Sequence, residues 1–352
     1  MPFITAVSKI DLPNRVPQHE VKEQARALFS VDFPQVDRLI QAFDNTGIVT
    51  RNFAKPISYY AENTTFKERN DAYISLSLQY AVEAAEVAIA KAGIDKDEIT
   101  DVLFVSTTGL ATPSIDAMVI NKMRLNQHVN RTPVWGLGCA GGVAGMAKAN
   151  MAAKANPDAV VLLIAVELCS LTLIKSDYSK SNFIGSSLFS DGVVAVIVKG
   201  DNHAQQAKQL NILANSSKLY YDSEEVMGWQ FQDDGFKVVF SKDIPTFIHT
   251  NISGDVADFL GKQGLQLSDI KNFIFHPGGT KVLDAYVDAL KIPGDFLKNT
   301  RQVMTDNGNM SSVTVLYVLE KFMAEGFADG YGLMLAMGPG FSSEMILLKM
   351  QN

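Results

Sequence analysis

Three polar residues, far apart in the chain, stand where α/β proteins place working groups. Cys139 lies within PVWGLGCAGGVAGMAKA, residues 133–149, which reads as a strand, a glycine turn and a helix rich in glycine and alanine. A thiol at a helix start meets unpaired backbone N–H groups and the positive end of the macrodipole, and both favour the nucleophilic thiolate. Gly138, Gly141 and Gly142 let backbone and ligand approach closely. The same position also suits a small buried cysteine that only packs. His276 ends the apolar run FIFHPGG, so it projects from a strand end into a glycine turn and offers the partner a thiolate needs. The other histidines, His19, His128, His203 and His249, lie in polar or ordinary helical surroundings. Asn309, in DNGNMSS, is either a turn residue or a carboxamide that steadies an oxyanion.

The elements that must position these groups alternate between two periods. Residues 71–92 carry helical spacing through Ile74, Leu78, Ala81, Ala85 and Ile89, and residues 101–106, 134–137, 160–166 and 193–198 read as strands. Such alternation predicts an α/β fold with a mainly buried sheet. The theme is written twice. GIDKDEITDVLFVS from Gly93 parallels GLQLSDIKNFIFHP from Gly264, with Ile99 and Ile270 offset by 171 residues. VLLIAVE from Val161 and GLMLAMG from Gly332 share that offset, and GCAGGV from Gly138 faces GNMSSV from Gly308 at an offset of 170. Duplication puts Cys139 and Asn309 at equivalent elbows, which pseudo-twofold symmetry would bring together at the centre.

Composition narrows the function. The 352 residues are 47% hydrophobic and 20% charged, enough for one large domain or two fused ones with a substantial core. Two cysteines, Cys139 and Cys169, cannot build a disulfide framework, and no Cys/His cluster has zinc spacing. A formal charge of −7 opposes a general nucleic-acid binder but leaves room for a local basic pocket for an anion. The first residues lack a basic segment followed by a long apolar run, and the longest apolar run, residues 159–166, is too short to span a membrane. The expectation is a soluble cytoplasmic protein with no stable membrane insertion.

Taken together, GLGCAGG around Cys139, SLFSDG at 187–192, VELCSLT at 166–172, FHPGG around His276, GNMSS around Asn309 and GPGF at 338–341 resemble the type III polyketide synthases related to chalcone synthase. These are thiolase-fold condensing enzymes. The resemblance implies a thiolase-like duplicated αβαβα five-layer α/β fold with two buried mixed sheets. Residues 1–205 would form the half carrying the nucleophile, and residues 206–352 the half carrying His276 and Asn309. It implies a Cys139–His276–Asn309 triad, with Cys139 taking an acyl starter from coenzyme A and an ion-paired imidazole stabilising its thiolate. His276 and Asn309 would hydrogen-bond the malonyl-CoA thioester carbonyl as carbon dioxide leaves. Malonyl-CoA and acyl-CoA are then substrates, no cofactor or metal is needed, and the enzyme is a homodimer.

The resemblance reaches further positions. Phe189 matches an aromatic gatekeeper, and Thr107, Thr172, Gly185 and Ser311 match cavity-lining positions. Val238 stands where plant members carry a second gatekeeper phenylalanine, and Thr112 where they send a methionine across the dimer interface. Cys169, cysteine in many bacterial members, would either line a tunnel for a long acyl chain or be an ordinary core cysteine. Arg51 and Lys281 are candidates for the coenzyme A phosphates at the tunnel mouth, or else solvated surface charges. The expected starter is a medium- to long-chain fatty acyl-CoA, and the expected product an alkylpyrone or alkylresorcinol. A ketoacyl-ACP synthase III shares the three residue types but usually has different residues beside its His and Asn. A biosynthetic thiolase needs a late second cysteine, and none follows Cys169. A papain-like hydrolase shares the Cys…His…Asn order but not the duplicated pattern, and a noncatalytic scaffold would have no use for an intact triad.

Overall fold

The computed structural model describes residues 1–30, 36–203 and 209–351. Its strands are β1 (Phe3–Lys9), β2 (Asn14–Pro17), β3 (Thr50–Phe53), β4 (Asp101–Val105), β5 (Asn130–Val134), β6 (Val160–Leu168), β7 (Asp191–Lys199), β8 (Gln209–Leu219), β9 (Met227–Gln232), β10 (Gly235–Phe240), β11 (Ile270–Phe275), β12 (Tyr331–Gly338) and β13 (Ser342–Gln351). Its helices are α1 (Gln18–Ser30), α2 (Val36–Ile40), α3 (Phe66–Ala92), α4 (Ile115–Met123), α5 (Gly141–Ala155), α6 (Lys180–Leu188), α7 (Ile244–Gly261), α8 (Thr280–Leu290), α9 (Lys298–Asn307) and α10 (Ser312–Glu325).

Pairing follows the repeat read from the sequence. In the first half β4 is parallel to β6, β7 runs antiparallel to β6, and β1 antiparallel to β7. In the second half β11 is parallel to β12, β13 antiparallel to β12, and β8 antiparallel to β13. The two sheets expected from the sequence are continuous. A short β1–β8 ladder, Phe3 with Asn211 and Ile4 with Leu210, joins them into nine strands in the order β11-β12-β13-β8-β1-β7-β6-β4-β5. The expected junction between residues 205 and 206 lies outside the described residues.

Three hydrophobic clusters make the layers. One packs α3 on the first sheet face, through Tyr80, Ala81, Ala84 and Ala85 against Leu162 and Ile164. A second fills the space between the halves with α5 and α10, and a third covers the far face with α7 and α8. Helix α3 starts earlier than its spacing suggested, at Phe66, because Thr65 and Glu68 form a capping box. Ala81 and Ala85 face inward as read, whereas Ile74, Leu78 and Ile89 sit half-buried at the margin. All nine residues of β6 are buried, which its unbroken apolar run requires of a strand covered on both faces.

The central layer is tight because it lacks side chains. A Cβ on Gly142 of α5 would lie 2.2 Å from the carbonyl oxygen of Ser312 and 2.8 Å from Val315. The two elbow helices therefore cross almost backbone to backbone, and Cys139 and Asn309 start from adjacent points.

Candidate active site

Cys139 sits in a single 3₁₀ turn, Gly138–Ala140, that runs straight into α5. Gly138 holds φ +45°, and a Cβ there would meet Pro339 at 2.7 Å. Gly338, the last residue of β12, lies so close that a Cβ would be 2.4 Å from the carbonyl oxygen of Leu137. The Gly138 N–H donates to Thr107 Oγ1 at 3.1 Å. Glycine on both sides of the contact lets a strand end press against the nucleophile's turn.

His276 extends the β11–β12 ladder by one residue, its N–H donating to the Leu335 carbonyl at 2.8 Å. The Gly278 N–H then donates back to the carbonyl of His276 at 3.1 Å. Asn309 binds that turn: its Nδ2 donates to the Gly278 carbonyl at 3.3 Å, and its Oδ1 accepts from the Ser311 N–H at 2.9 Å. Ser311 lines the same small cavity as Cys139, and its hydroxyl acts to lower the thiol's pKa. Hydrogen bonds thus tie Asn309 to the turn after His276 on one side and to Ser311, beside Cys139, on the other. Ser311 holds φ +50° and ψ −128°, a conformation that costs an L-residue roughly 1–3 kcal/mol. Asn309 also clasps Phe189: its N–H donates to Leu188 O and its carbonyl accepts from Ser190 N–H, both at 2.9 Å.

Burial decides the charge state. It pushes the Cys139 thiol up to about 12 and pulls the His276 imidazole down to about 3. His276 is 3% exposed, and both its ring nitrogens lack a hydrogen-bond partner. Desolvation thus works against the thiolate–imidazolium pair, and the helix-start donors work for it.

Two cavities lie on this side of the molecule, and the smaller one reaches the sulfur. The smaller, about 320 Å³, is lined by Cys139, Ser311, Met227 and Phe240. The larger, about 670 Å³ and partly open to solvent, is lined by apolar residues that include Val21, Leu28, Phe29, Ile57 and Leu173. Phe189, Trp229 and Val238 line both. Cys169, Thr172 and Gly185 lie in the wall of the larger cavity, where a Cβ on Gly185 would touch Phe189 and Val238 at 3.4 Å.

Residues 52–202 match the family of chalcone and stilbene synthases in its N-terminal domain, and residues 211–351 match the C-terminal domain. The chain belongs to the chalcone and stilbene synthase family. It is a type III polyketide synthase, an enzyme of the acyltransferase type. A Bacillus subtilis (strain 168) protein provisionally named a chalcone synthase is 40% identical, over 99% of this chain and 98% of its own length. A 1,3,6,8-tetrahydroxynaphthalene synthase of Streptomyces peucetius subsp. caesius is 37% identical, over 98% of this chain and 92% of its own. The crystal structure of the Streptomyces coelicolor A3(2) 1,3,6,8-tetrahydroxynaphthalene synthase, a bacterial type III polyketide synthase, superposes with a TM-score of 0.93. It is 27% identical and covers 99% of each chain.

Other positions of this polyketide synthase fall as follows. Thr107 is buried behind the elbow, its N–H donating to Glu167 and its carbonyl accepting from Trp229 Nε1. Thr112 is exposed and lines neither cavity of its own chain. Lys281 is exposed in the first turn of α8, three residues past Gly278. Arg51 is not at a mouth. It is 1% exposed, its Nη1 donates to the carbonyls of Ser186 and Phe189 at 2.6 and 2.8 Å, and its guanidinium lies over Phe43 and Phe53. This corrects the sequence expectation, because a guanidinium buried in an apolar wall and held by two carbonyls is neither a solvated surface charge nor a site for a hydrated phosphate.

Sequence reasoning passed over three residues of this synthase. Glu167, inside VELCSLT, is fully buried, and burial raises its carboxyl to about 7 while bonds from Ser312 and Thr107 oppose the rise. Its Oε1 accepts from Ser312 Oγ at 2.7 Å, one residue from Ser311. Trp229 and Phe240 come from the β9–β10 hairpin and stand 6.3 and 5.6 Å from the Phe189 ring. Alternation around a DDG turn in WQFQDDGFKVVF was the available signal for that hairpin.

Proposed function

We propose that this polyketide synthase loads a medium- to long-chain fatty acyl group from coenzyme A onto Cys139 and extends it with malonyl-CoA to an alkylpyrone or alkylresorcinol. The observation that carries the reading is the large apolar cavity that shares Phe189, Trp229 and Val238 with the Cys139 cavity. Its wall of aliphatic and aromatic side chains matches a flexible hydrocarbon chemically.

The steps follow from the groups present. His276 takes the Cys139 proton as the sulfur attacks the acyl-CoA thioester, and coenzyme A leaves. With the site acylated, malonyl-CoA loses carbon dioxide to give an enolate. The imidazole N–H and the second N–H of the Asn309 amide donate to the enolate oxygen, and its carbon attacks the acyl-cysteine. Donors fixed where charge develops are typically worth about 3–4 kcal/mol each. Lys281 is the proposed contact for a coenzyme A phosphate, and a twofold dimer the proposed working assembly.

Mass spectrometry of products from malonyl-CoA with a ladder of acyl-CoA starters tests the starter class. Preference for chains of about eight carbons or more is expected. Products built from malonyl-CoA alone would refute it. The triad is tested separately: Asn309→Ala should slow malonyl-CoA decarboxylation roughly 10²- to 10³-fold while Cys139 still becomes acylated, and Cys139→Ala should not be acylated at all.

A further inference from the structure

The wall of the large cavity is mainly apolar, and its unmatched polar groups are the Ser186 hydroxyl and the Arg51 guanidinium. Arg51 lines it and is 1% exposed, yet its Nε and Nη2 have no hydrogen-bond partner. Tyr60, Ser170 and Asn182 in the same wall are already engaged: Tyr60 bonds Ser170 at 2.5 Å, Ser170 bonds Asp191, and Asn182 donates to the carbonyls of Ile174 and Asp177. Two orphaned donors in a buried wall are costly unless an acceptor reaches them.

We propose that Arg51 is a specificity determinant that selects fatty acyl starters bearing a neutral oxygen, a hydroxyl or an oxo group, on the part of the chain nearest the thioester. The proposal rests on the fatty-acyl reading above and adds a polar requirement to it. Position fixes the place on the chain: Arg51 Nη1 holds the carbonyl of Phe189, the residue shared with the Cys139 cavity, so the free donors belong to the near end of the tunnel. Charge fixes the kind of oxygen. Asp191 is a buried carboxyl that already supplies Arg51 with a counter-charge, so a carboxylate on the chain would leave a net negative charge in an apolar chamber. A hydroxyl or ketone oxygen satisfies the donors without that cost.

The test uses the wild-type enzyme with malonyl-CoA and matched C12 acyl-CoA starters: unsubstituted, 3-, 5- and 7-hydroxy, the same oxo series, 11-hydroxy, and ω-carboxy. The expected result is a kcat/KM roughly tenfold above the unsubstituted chain for at least one proximal hydroxy or oxo starter, with no gain for the 11-hydroxy chain and a loss for the ω-carboxy chain. Turnover of the unsubstituted chain with no proximal oxygenated chain more than twofold better overturns this inference and leaves the fatty-acyl reading intact. Refusal of every C12 starter overturns both. A second measurement reads the ratio of oxygenated to unsubstituted kcat/KM in Arg51→Gln and Arg51→Lys, each normalised to its own unsubstituted rate. The ratio should collapse in Arg51→Gln and partly recover in Arg51→Lys, and an unchanged ratio in a folded variant overturns the proposal.

Discussion

At the scale of single residues, burial sets the chemistry of the site more than local sequence does. Burial pushes the Cys139 thiol up and the His276 imidazole down, which favours a nucleophile formed on demand over a standing ion pair. Iodoacetamide alkylation of Cys139 in the substrate-free enzyme, located by peptide mass spectrometry, should climb steadily to pH 9–10. A rate already on its plateau at pH 6–7 would show a standing ion pair instead. Glu167 responds to pH in its own way. Its folded value of about 7 stands above the ordinary glutamate value of 4.5. The folded chain thus keeps a proton that the unfolded chain releases between about pH 4.5 and 7, so this carboxyl lowers stability as pH rises through that window. The penalty above pH 7 is of order 3 kcal/mol. Glu167→Gln, which can still accept from Thr107 and meet Ser312, should flatten the fall in melting temperature between pH 5 and 8; an equally steep fall in the variant would place the titration elsewhere.

At the scale of elements, the elbows show what sequence reveals and what it conceals. GCAGGV and GNMSSV sit at equivalent offsets, and their glycines and serines announced the close helix crossing that joins Cys139 to Asn309. Both signals are local, a turn followed by a helix, so they were legible. Arg51 was not, because a basic residue in VTRNFAKP looks solvated until Phe43, Phe53 and the carbonyls of Ser186 and Phe189 close around it from separate segments. Trp229 and Phe240 escaped for the same reason: the hairpin is readable, but its docking over Phe189 is a non-local contact. The β1–β8 ladder rests on two residue pairs and has no pattern of its own. The crossing makes a sharp test. Gly142→Ala puts a methyl group 2.2 Å from the Ser312 carbonyl, so either α5 or α10 must shift. A destabilisation of about 1–3 kcal/mol is expected by thermal melting. Acylation of Cys139 should fall further than stability alone explains, since the shift separates Cys139 from Ser311 and Asn309. Gly254→Ala on the exposed side of α7, with nothing within 4 Å of the added carbon, is the matched control and should be neutral or slightly stabilising.

At the scale of the whole molecule, the sheet ends without protection. β5 closes the nine-stranded order, and its residues 130–133 are exposed. Beside it Trp135 is 44% exposed, stacks on the exposed Phe231, and donates from Nε1 to the Gly109 carbonyl next to half-exposed Leu110. Thr112 lies exposed two residues further on. A bare edge strand flanked by aromatic and aliphatic surface is unfavourable in water and is normally paired or covered. The proposed twofold dimer would cover it, because an antiparallel contact about a twofold axis offers the same edge to itself. That arrangement would also carry Thr112 toward the partner, in keeping with its absence from the cavities of its own chain. Light scattering after size exclusion should give twice the chain mass for the native protein. Trp135→Glu should shift the distribution to single chains at micromolar concentration, since a charge at a buried twofold contact meets its own copy. If the variant stays dimeric, the contact lies on another face and Thr112 has no route to a partner's cavity. If it becomes monomeric and keeps its product length, each chain measures the product with its own walls, and Arg51, Cys169 and Val238 set the limit alone.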